Sequence, residues 1–481
     1  MALGSAFRHE LEAALPVGGV IASPEQLKVY ECDGLTGHRA LPELVVLPET
    51  TEQVRDVVVA CGRHAVPFVA RGAGTGLSGG ATPVADGIVI SLARMSRILS
   101  IDLDGPCVVV QPGVSNLEVT EAVIGDGFYY APDPSSQQVC TIGGNVAENS
   151  GGAHCLKHGF TVNHVLAVTA VLPDGSVVEL RADDPGPGLL GAFVGSEGTL
   201  GIATEITLRL LRRPESVVTL LAAFDSTDEA GAAVSGIVAA GILPAAVEMM
   251  DRLTLEAAEA AVHANYPDAG AILIVELDGP AEQVEDDLGA LESICLGCSA
   301  RELRKAADDA ERALLWKGRK AAFAAMGRVS SSYYVQDGVV PRTKLPEVLR
   351  RIAELEREHG LRVGNVFHAG DGNLHPLVLY DEKVPGQPER ARRLAEAILE
   401  ACVDAGGSLT GEHGIGRDKA CAMPMLFGPD DLEAMHRLRR AFDPDGLANP
   451  GKVFPTPRLC GEVPGPYRAH PLEKAGIAQR L

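Results

Sequence analysis

Two histidines, His368 and His375, flank the run Ala-Gly-Asp-Gly-Asn-Leu, and further along comes Leu409-Thr-Gly-Glu-His-Gly-Ile-Gly416, with Glu412 and His413 on a glycine-rich backbone. Gly370-Asp371-Gly372-Asn373 is turn chemistry between two apolar runs, so residues 363–380 read as a hairpin. If Ala369 faces Leu374, His368 faces His375, with Cβ atoms about 4.5–5.5 Å apart, near enough for two imidazoles to share one ion. Glu412 would complete a two-histidine, one-carboxylate set. Such a set leaves coordination positions open and suits Zn²⁺, Mn²⁺ or Fe²⁺ together with a bound substrate. His413, beside it, has the side chain that most often moves protons near neutral pH. The competing reading, histidines that only end a hairpin, is weakened by a Glu-His pair set in a nest of glycines.

A second kind of signal lies upstream. Arg71, Gly72, Ala73, Gly74, Thr75, Gly76, Leu77, Ser78 and Gly79 form a loop whose bare backbone N–H groups suit a phosphate. Gly74-x-Gly76-x-x-Gly79 formally matches the dinucleotide fingerprint, which must open a helix. Here a turn and then the strand-like run Ile88-Val-Ile-Ser-Leu92 follow instead, so a nicotinamide-binding Rossmann domain is disfavoured. Two more glycine-dense segments, residues 141–152 and 195–201, suggest with the first the walls of a slot for a large flat cofactor bearing a pyrophosphate.

These groups need elements to hold them. Residues 43–48 and 67–70 read as strands around a helix opened by the capping box Thr50-x-x-Gln53, and Ser115-x-x-Glu118 caps another helix. A strand is expected at 202–211. After Pro214 a second domain begins, with strands at 216–224 and 271–276 and helices at 228–240, 281–295 and 301–326, the last bearing Trp316 and Arg319; a further helix spans 388–405.

Composition narrows the partners. The 481 residues carry 42 Lys plus Arg against 64 Asp plus Glu, a net charge of −22 that repels phosphate backbones and disfavours nucleic-acid binding. No run of apolar residues suffices for a membrane span, and Arg8, His9, Glu10 and Glu12 interrupt any signal-peptide core, so a cytoplasmic protein is expected. Ten scattered cysteines suggest reduced thiols. Cys295 and Cys298 are the only close pair and lack the neighbours an iron–sulfur cluster needs.

Taken in order, the segments 71–80, 132–152, 195–201, 368–375, 412–416 and 449–452 resemble the FAD-linked D-2-hydroxyacid dehydrogenases of the vanillyl-alcohol-oxidase flavoproteins, with the glycolate-oxidase branch nearest in appearance. The resemblance implies an α+β fold. An FAD-binding domain of two α/β subdomains would occupy residues 1–214. A cap with an antiparallel sheet and helices, carrying the His368/His375 hairpin, would occupy 215–410, and residues 411–481 would return to the flavin. It implies noncovalent FAD, since the first loop has no histidine; His154, His158 and His164 lie outside the usual attachment loop.

By the same resemblance residues 71–79 would hold the pyrophosphate. Pro132, Thr141, Gly143, Gly144, Asn145, Ser150, Gly151 and Gly152 would hold the flavin ring and ribityl chain. Glu197, Gly198 and Ile202 would lie at the adenine end, and Asn449 near the isoalloxazine. Arg319 would clamp the substrate carboxylate, a bidentate task suited to guanidinium. The implied reaction oxidises a small 2-hydroxy acid of the glycolate or D-lactate type to its 2-oxo acid, with hydride passing to flavin N5 and His413 taking the proton from a metal-bound hydroxyl.

Val335 and Leu377 replace a Lys and an Asn of the hydroxyglutarate enzymes, which places D-2-hydroxyglutarate second. Electrons would leave to a protein or quinone acceptor, by resemblance a second flavin-type subunit plus an iron–sulfur subunit, so the chain could sit at a membrane through a partner; a homodimer is also compatible. A reading from a different class, a zinc hydrolase with structural glycine loops, remains as the competitor.

Overall fold

A computed structural model describes residues 3–455; the last part of the expected C-terminal segment, Cys460 included, lies outside the described residues. The fold is α+β, and the chain divides into two units. Of the described residues, one holds 3–151, Phe160–Arg212 and 412–455. The other holds Gly152–Gly159 and Arg213–Gly411. The short piece 152–159, expected in the FAD-binding part, thus packs with the cap residues. Among the described residues no helix is long and apolar enough to cross a membrane.

The first unit has two main sheets, besides a two-stranded pairing of Leu211–Arg212 with Phe128–Tyr129. In one, Leu44–Val46 and Phe68–Arg71 flank Ile88–Ser91 in parallel, and Val20–Ile21 adds an antiparallel edge. Thr50 caps the helix Thr51–His64 by accepting from the Gln53 amide, and that helix buries Val54, Val57, Val58 and Cys61 on the sheet. Burial on both faces explains why these strands read as unbroken apolar runs. The second sheet is antiparallel, in the order Ile98–Asp102, Cys107–Val110, Ile202–Arg209, Val165–Val171, Val177–Arg181.

The second unit is built on a nine-stranded antiparallel sheet. Alternate residues of Ala271–Gly279 serve opposite cores: Ala271, Leu273, Val275 and Leu277 face one, Ile272 and Ile274 the other. Helices Thr227–Ala239, Ala281–Gly297, Leu345–His359 and Gln387–Asp404 contribute to the first core, and Arg252–Val262 and Asp309–Ala325 to the second.

Three local expectations are corrected. The helix expected over 301–326 begins only at Asp309, because Asp308 caps it through the Glu311 amide and residues Glu302–Lys305 pair as an edge strand with Ser216–Phe224. The segment 141–152 is not all loop: Thr141 caps a helix over Ile142–Glu148 by accepting from the Gly144 amide. Eight described cysteines are free thiols, but Cys421 is disulfide-bonded, so the thiols are not uniformly reduced.

Candidate active site

The cap cluster is set by strand pairing. Val363–His368 runs antiparallel to Ala246–Asp251, with Glu248 directly across from His368. On its other side the hairpin register pairs His368 with Asn373 and Asn365 with Pro376. The expected opposition of His368 and His375 is therefore corrected: the turn takes all of Ala369, Gly370, Asp371 and Gly372, and the same register places His375 across from Val366. Diagonal neighbours on one face still meet. The two rings stand 5.0 Å apart between centroids and nearly perpendicular, at 87°, both buried, with ligating atoms within 4.8 Å of each other.

Each imidazole has a buried carboxylate on its Nδ1 side. Glu248 Oε1 lies 2.7 Å from His368 Nδ1, and since an ionised carboxylate only accepts, that nitrogen carries a proton, which in the neutral ring leaves the Nε2 lone pair free to coordinate. Asp337 Oδ1 lies 3.7 Å from His375 Nδ1; its other oxygen accepts from the Thr410 hydroxyl and the Gly411 amide. Those two residues immediately precede Glu412 and His413, whose side chains lie 3.8 Å apart and are mostly buried. Arg319, on the helix Asp309–Ala325, reaches Glu248 Oε2 at 2.6 Å, and Phe323 one turn on meets the His375 ring edge-on at 5.7 Å. The guanidinium expected at a substrate carboxylate thus has a protein carboxylate for a partner. Two buried imidazoles, each with a carboxylate on its Nδ1 side, make a donor set that fits a borderline divalent cation.

In the first unit the glycine-dense segments converge. Glu197 and Gly195 donate their amides to Ala147 and Val146, on the helix that follows Thr141. Both Glu197 oxygens accept from the C-terminal stretch, from Ile415 N at 2.7 Å and Gly416 N at 2.6 Å. The Ser78 carbonyl in the first loop accepts from Arg417 and Asp418. Asn449 ties the knot: its Nδ2 donates to Gly80 O and Glu197 O, and its Oδ1 accepts from Lys452, whose ammonium also reaches Thr82 O.

Several expected ligand-holding groups therefore also brace the loops. Arg71 is buried and donates to the Cys32 and Ala81 carbonyls, beneath the loop it was expected to present to a pyrophosphate. The Pro132 carbonyl accepts from Asn116, and the Ser150 carbonyl from Thr161. Gly151 and Gly152 fall on either side of the division between the units. Room for a ligand remains where glycines have no close neighbour: a Cβ on Gly76 would find nothing nearer than 3.9 Å, and on Gly198 nothing nearer than 3.8 Å. These open backbone walls fit an extended pyrophosphate-bearing cofactor. His154 and His158 face Glu276 and Asp278 in the cap unit.

Glu248 and Asp337 escaped the sequence reading. The signal for Glu248 was a lone acid inside the apolar run Ala245-Ala-Val-Glu-Met-Met250, a residue type that is rarely buried without a partner.

Comparison with known proteins defines the class. Residues 42–181 match the family model described as an FAD binding domain, and residues 213–453 that of the C-terminal domain of FAD linked oxidases. The chain belongs to the FAD-linked oxidase family. It is 51% identical over 447 residues to the glycolate oxidase subunit GlcD of Escherichia coli strain K12, covering 92% of this chain and 90% of that one. It is 33% identical to a D-lactate dehydrogenase of Anaerostipes hadrus, covering 86% and 90%. A solved p-cresol methylhydroxylase shares the fold at a TM-score of 0.79 with 17% identity, covering 93% of this chain and 96% of that one. Because the FAD-binding match spans the first two glycine-dense segments, the zinc-hydrolase reading, which left them merely structural, loses its basis.

Proposed function

We propose that this chain oxidises a small 2-hydroxy acid, of the glycolate or D-lactate type, to the 2-oxo acid, with FAD bound noncovalently by the first unit. The observation that carries the reading is the 51% identity to a glycolate oxidase subunit across nearly the whole of both chains. When bound, FAD supplies the acceptor for the two electrons and the Cα hydrogen, and a divalent Zn, Mn or Fe ion supplies the Lewis acidity that makes the substrate hydroxyl easier to deprotonate.

The remaining work falls to the chain. His368, His375 and Glu412 would hold the ion, and His413 would take the hydroxyl proton. Arg319 would lend positive charge to the carboxylate end of the substrate while paired with Glu248. Residues 71–79, 132, 141–145, 150–152, 197–198, 202 and 449 would line the FAD site. The reduced cofactor must be reoxidised by another carrier, and the relationship to a subunit of glycolate oxidase supports partner subunits in that role.

Anaerobic mixing of the yellow protein with a panel of D- and L-2-hydroxy acids, with and without a chelator, tests this. Bleaching by glycolate or D-lactate, abolished by the chelator and by His413→Ala with FAD retained, is expected. Bleaching by 2-hydroxyglutarate alone would transfer the assignment to that substrate. Bleaching insensitive to both treatments would overturn the roles given to the ion and His413.

A further inference from the structure

Between Arg319 and His368 stands a carboxylate that no element of the reaction requires at first sight. Glu248 is 1% exposed and lies in mid-strand, directly opposite His368 across the Ala246–Asp251 and Val363–His368 pair. Its two oxygens serve two partners: Oε1 lies 2.7 Å from His368 Nδ1 and Oε2 lies 2.6 Å from Arg319. A buried carboxylate is costly in a sheet interior unless it is paired, and truncating one partner of such an arrangement is more damaging than never having built it. The flanking residues Val247, Met249 and Met250 are ordinary core side chains, so the acid is not a by-product of a polar edge.

We propose that Glu248 is the positioning residue for His368, fixing the ring in the Nδ1–H tautomer and aiming Nε2 at the metal position, with Arg319 holding the carboxylate in place from its other side. The inference rests on the metal reading above. A His ring turns about two torsions, and a hydrogen bond to Nδ1 settles both its angle and the nitrogen left free to coordinate. The antiparallel register makes the contact rigid, because the Cα atoms of residues 248 and 368 are fixed by the backbone ladder.

Arg319 contributes what a neutral donor would not, a charge 2.6 Å from Oε2 that keeps the buried carboxylate compensated. This also accounts for an arginine that is only 2% exposed on a helix face otherwise lined with apolar residues such as Leu315 and Ala322. Asp337 stands at a longer distance behind His375 and spends its other oxygen on Thr410 and Gly411, so the two carboxylates divide the labour: Glu248 orients a ring, Asp337 chiefly anchors a loop.

The test uses the FAD-loaded full chain with zinc alone as the probe. Zinc affinity is measured by chelator competition, and the His368 ring tautomer by nitrogen-15 NMR in metal-free protein. Glu248→Gln is expected to weaken zinc about 10–100-fold and to convert His368 to a mixture of tautomers, with the flavin band retained. Glu248→Asp keeps the charge but withdraws the oxygen from Nδ1, and is expected to fall between wild type and Glu248→Gln; it stands in if the Gln variant does not fold. His368→Gln should abolish tight zinc binding. Wild-type affinity and an unchanged tautomer in both Glu248 variants, with zinc lost in His368→Gln, would overturn this inference alone. Undiminished zinc in His368→Gln would overturn the metal reading beneath it.

Discussion

Two groups of buried glutamates, one in each unit, meet opposite fates. In the cap, burial pushes the Glu276 carboxyl up, but the hydrogen bond and charge of His154, the Thr219 hydroxyl and Arg312 outweigh it and hold the group below the ordinary range; Trp316 Nε1 donates to it as well, at 2.7 Å. In the first unit burial also dominates, and there it prevails. Glu197 is pushed up to about 7 although the Ile415 and Gly416 amides, Lys452 and Lys419 all pull it down. Glu148 goes well above its ordinary value, first by burial and then by the charges of Glu197 and Asp33. Lys452 is in turn brought down to about 8 by burial and the nearby Arg417. The same side chain in the same degree of cover is thus locked ionised where four donors converge on one acid, and left protonatable where acids share too few cations.

The sharpest way to break this contrast is to disturb the packing that creates the first cluster. Gly416 has φ +52, and a Cβ there would collide with the Ser78 backbone carbonyl, which cannot swing aside. Gly416→Ala should cost about 2–4 kcal/mol through backbone strain plus overpacking, and should lower FAD retention because residues 78 and 415–418 are tied together. Gly360 in the cap, with φ +63 and nothing within 4 Å of its Cβ position, supplies the comparison: Ala there should cost only about 1 kcal/mol. Urea unfolding of both variants, with released FAD read by fluorescence, decides. Equal losses would mean that crowding in the first unit matters less than the backbone angle.

Much of this arrangement is legible in the chain itself, for a physical reason. The histidine hairpin, the glycine-dense segments and the capping boxes at Thr50 and Ser115 are local signals, each carried by residue type and spacing over a few positions. The register was missed because a four-residue turn over Gly370–Asn373 and one over Ala369–Gly372 differ by nothing that the local motif displays, and only pairing with Ala246–Asp251 and Pro376–Tyr380 settles it. Glu248 was missed for the same reason, since its meaning depends on a strand over a hundred residues away from His368. The strand Glu302–Lys305 reads as helix in the sequence because its charged residues fit either period, and the edge of the Ser216–Phe224 strand, a long-range template, decides otherwise. The Glu148–Glu197 pair likewise arises only when the segment after Thr141 and the loop before Ile202 are folded together.

In the cap, Glu276→Gln should remove the charge on which His154 and Arg312 converge and cost about 1.5–3 kcal/mol near neutral pH. Because the folded carboxyl lies below its unfolded value, its contribution is present above about 4.5 and is lost as pH falls through the folded value. The stability gap between wild type and variant should therefore narrow in acid. Denaturant titrations at pH 7 and pH 3.5 that found the same gap would show that shape, rather than charge, is what Glu276 contributes.

The smallest effect should have the opposite sign. Glu148 and Glu197 have folded values raised above the unfolded 4.5, so the native state keeps protons that the unfolded chain has already released. Their contribution is complete below about 4.5 and is lost as pH rises through the folded values, near 7 for Glu197. Glu148→Gln preserves the shape, removes one of the two competing acids and lets Glu197 ionise against Lys452 with less opposition. The variant should be more stable than wild type by about 1 kcal/mol at pH 8 and nearly equal to it at pH 5, flattening the decline between those values. Thermal scans at pH 5, 6, 7 and 8 measure this directly. A variant that keeps the wild-type decline would place its origin in groups other than this pair, whereas one destabilised at every pH would mean that the Glu148 carboxylate is held ionised, as Glu276 is, and the contrast between the two units would collapse.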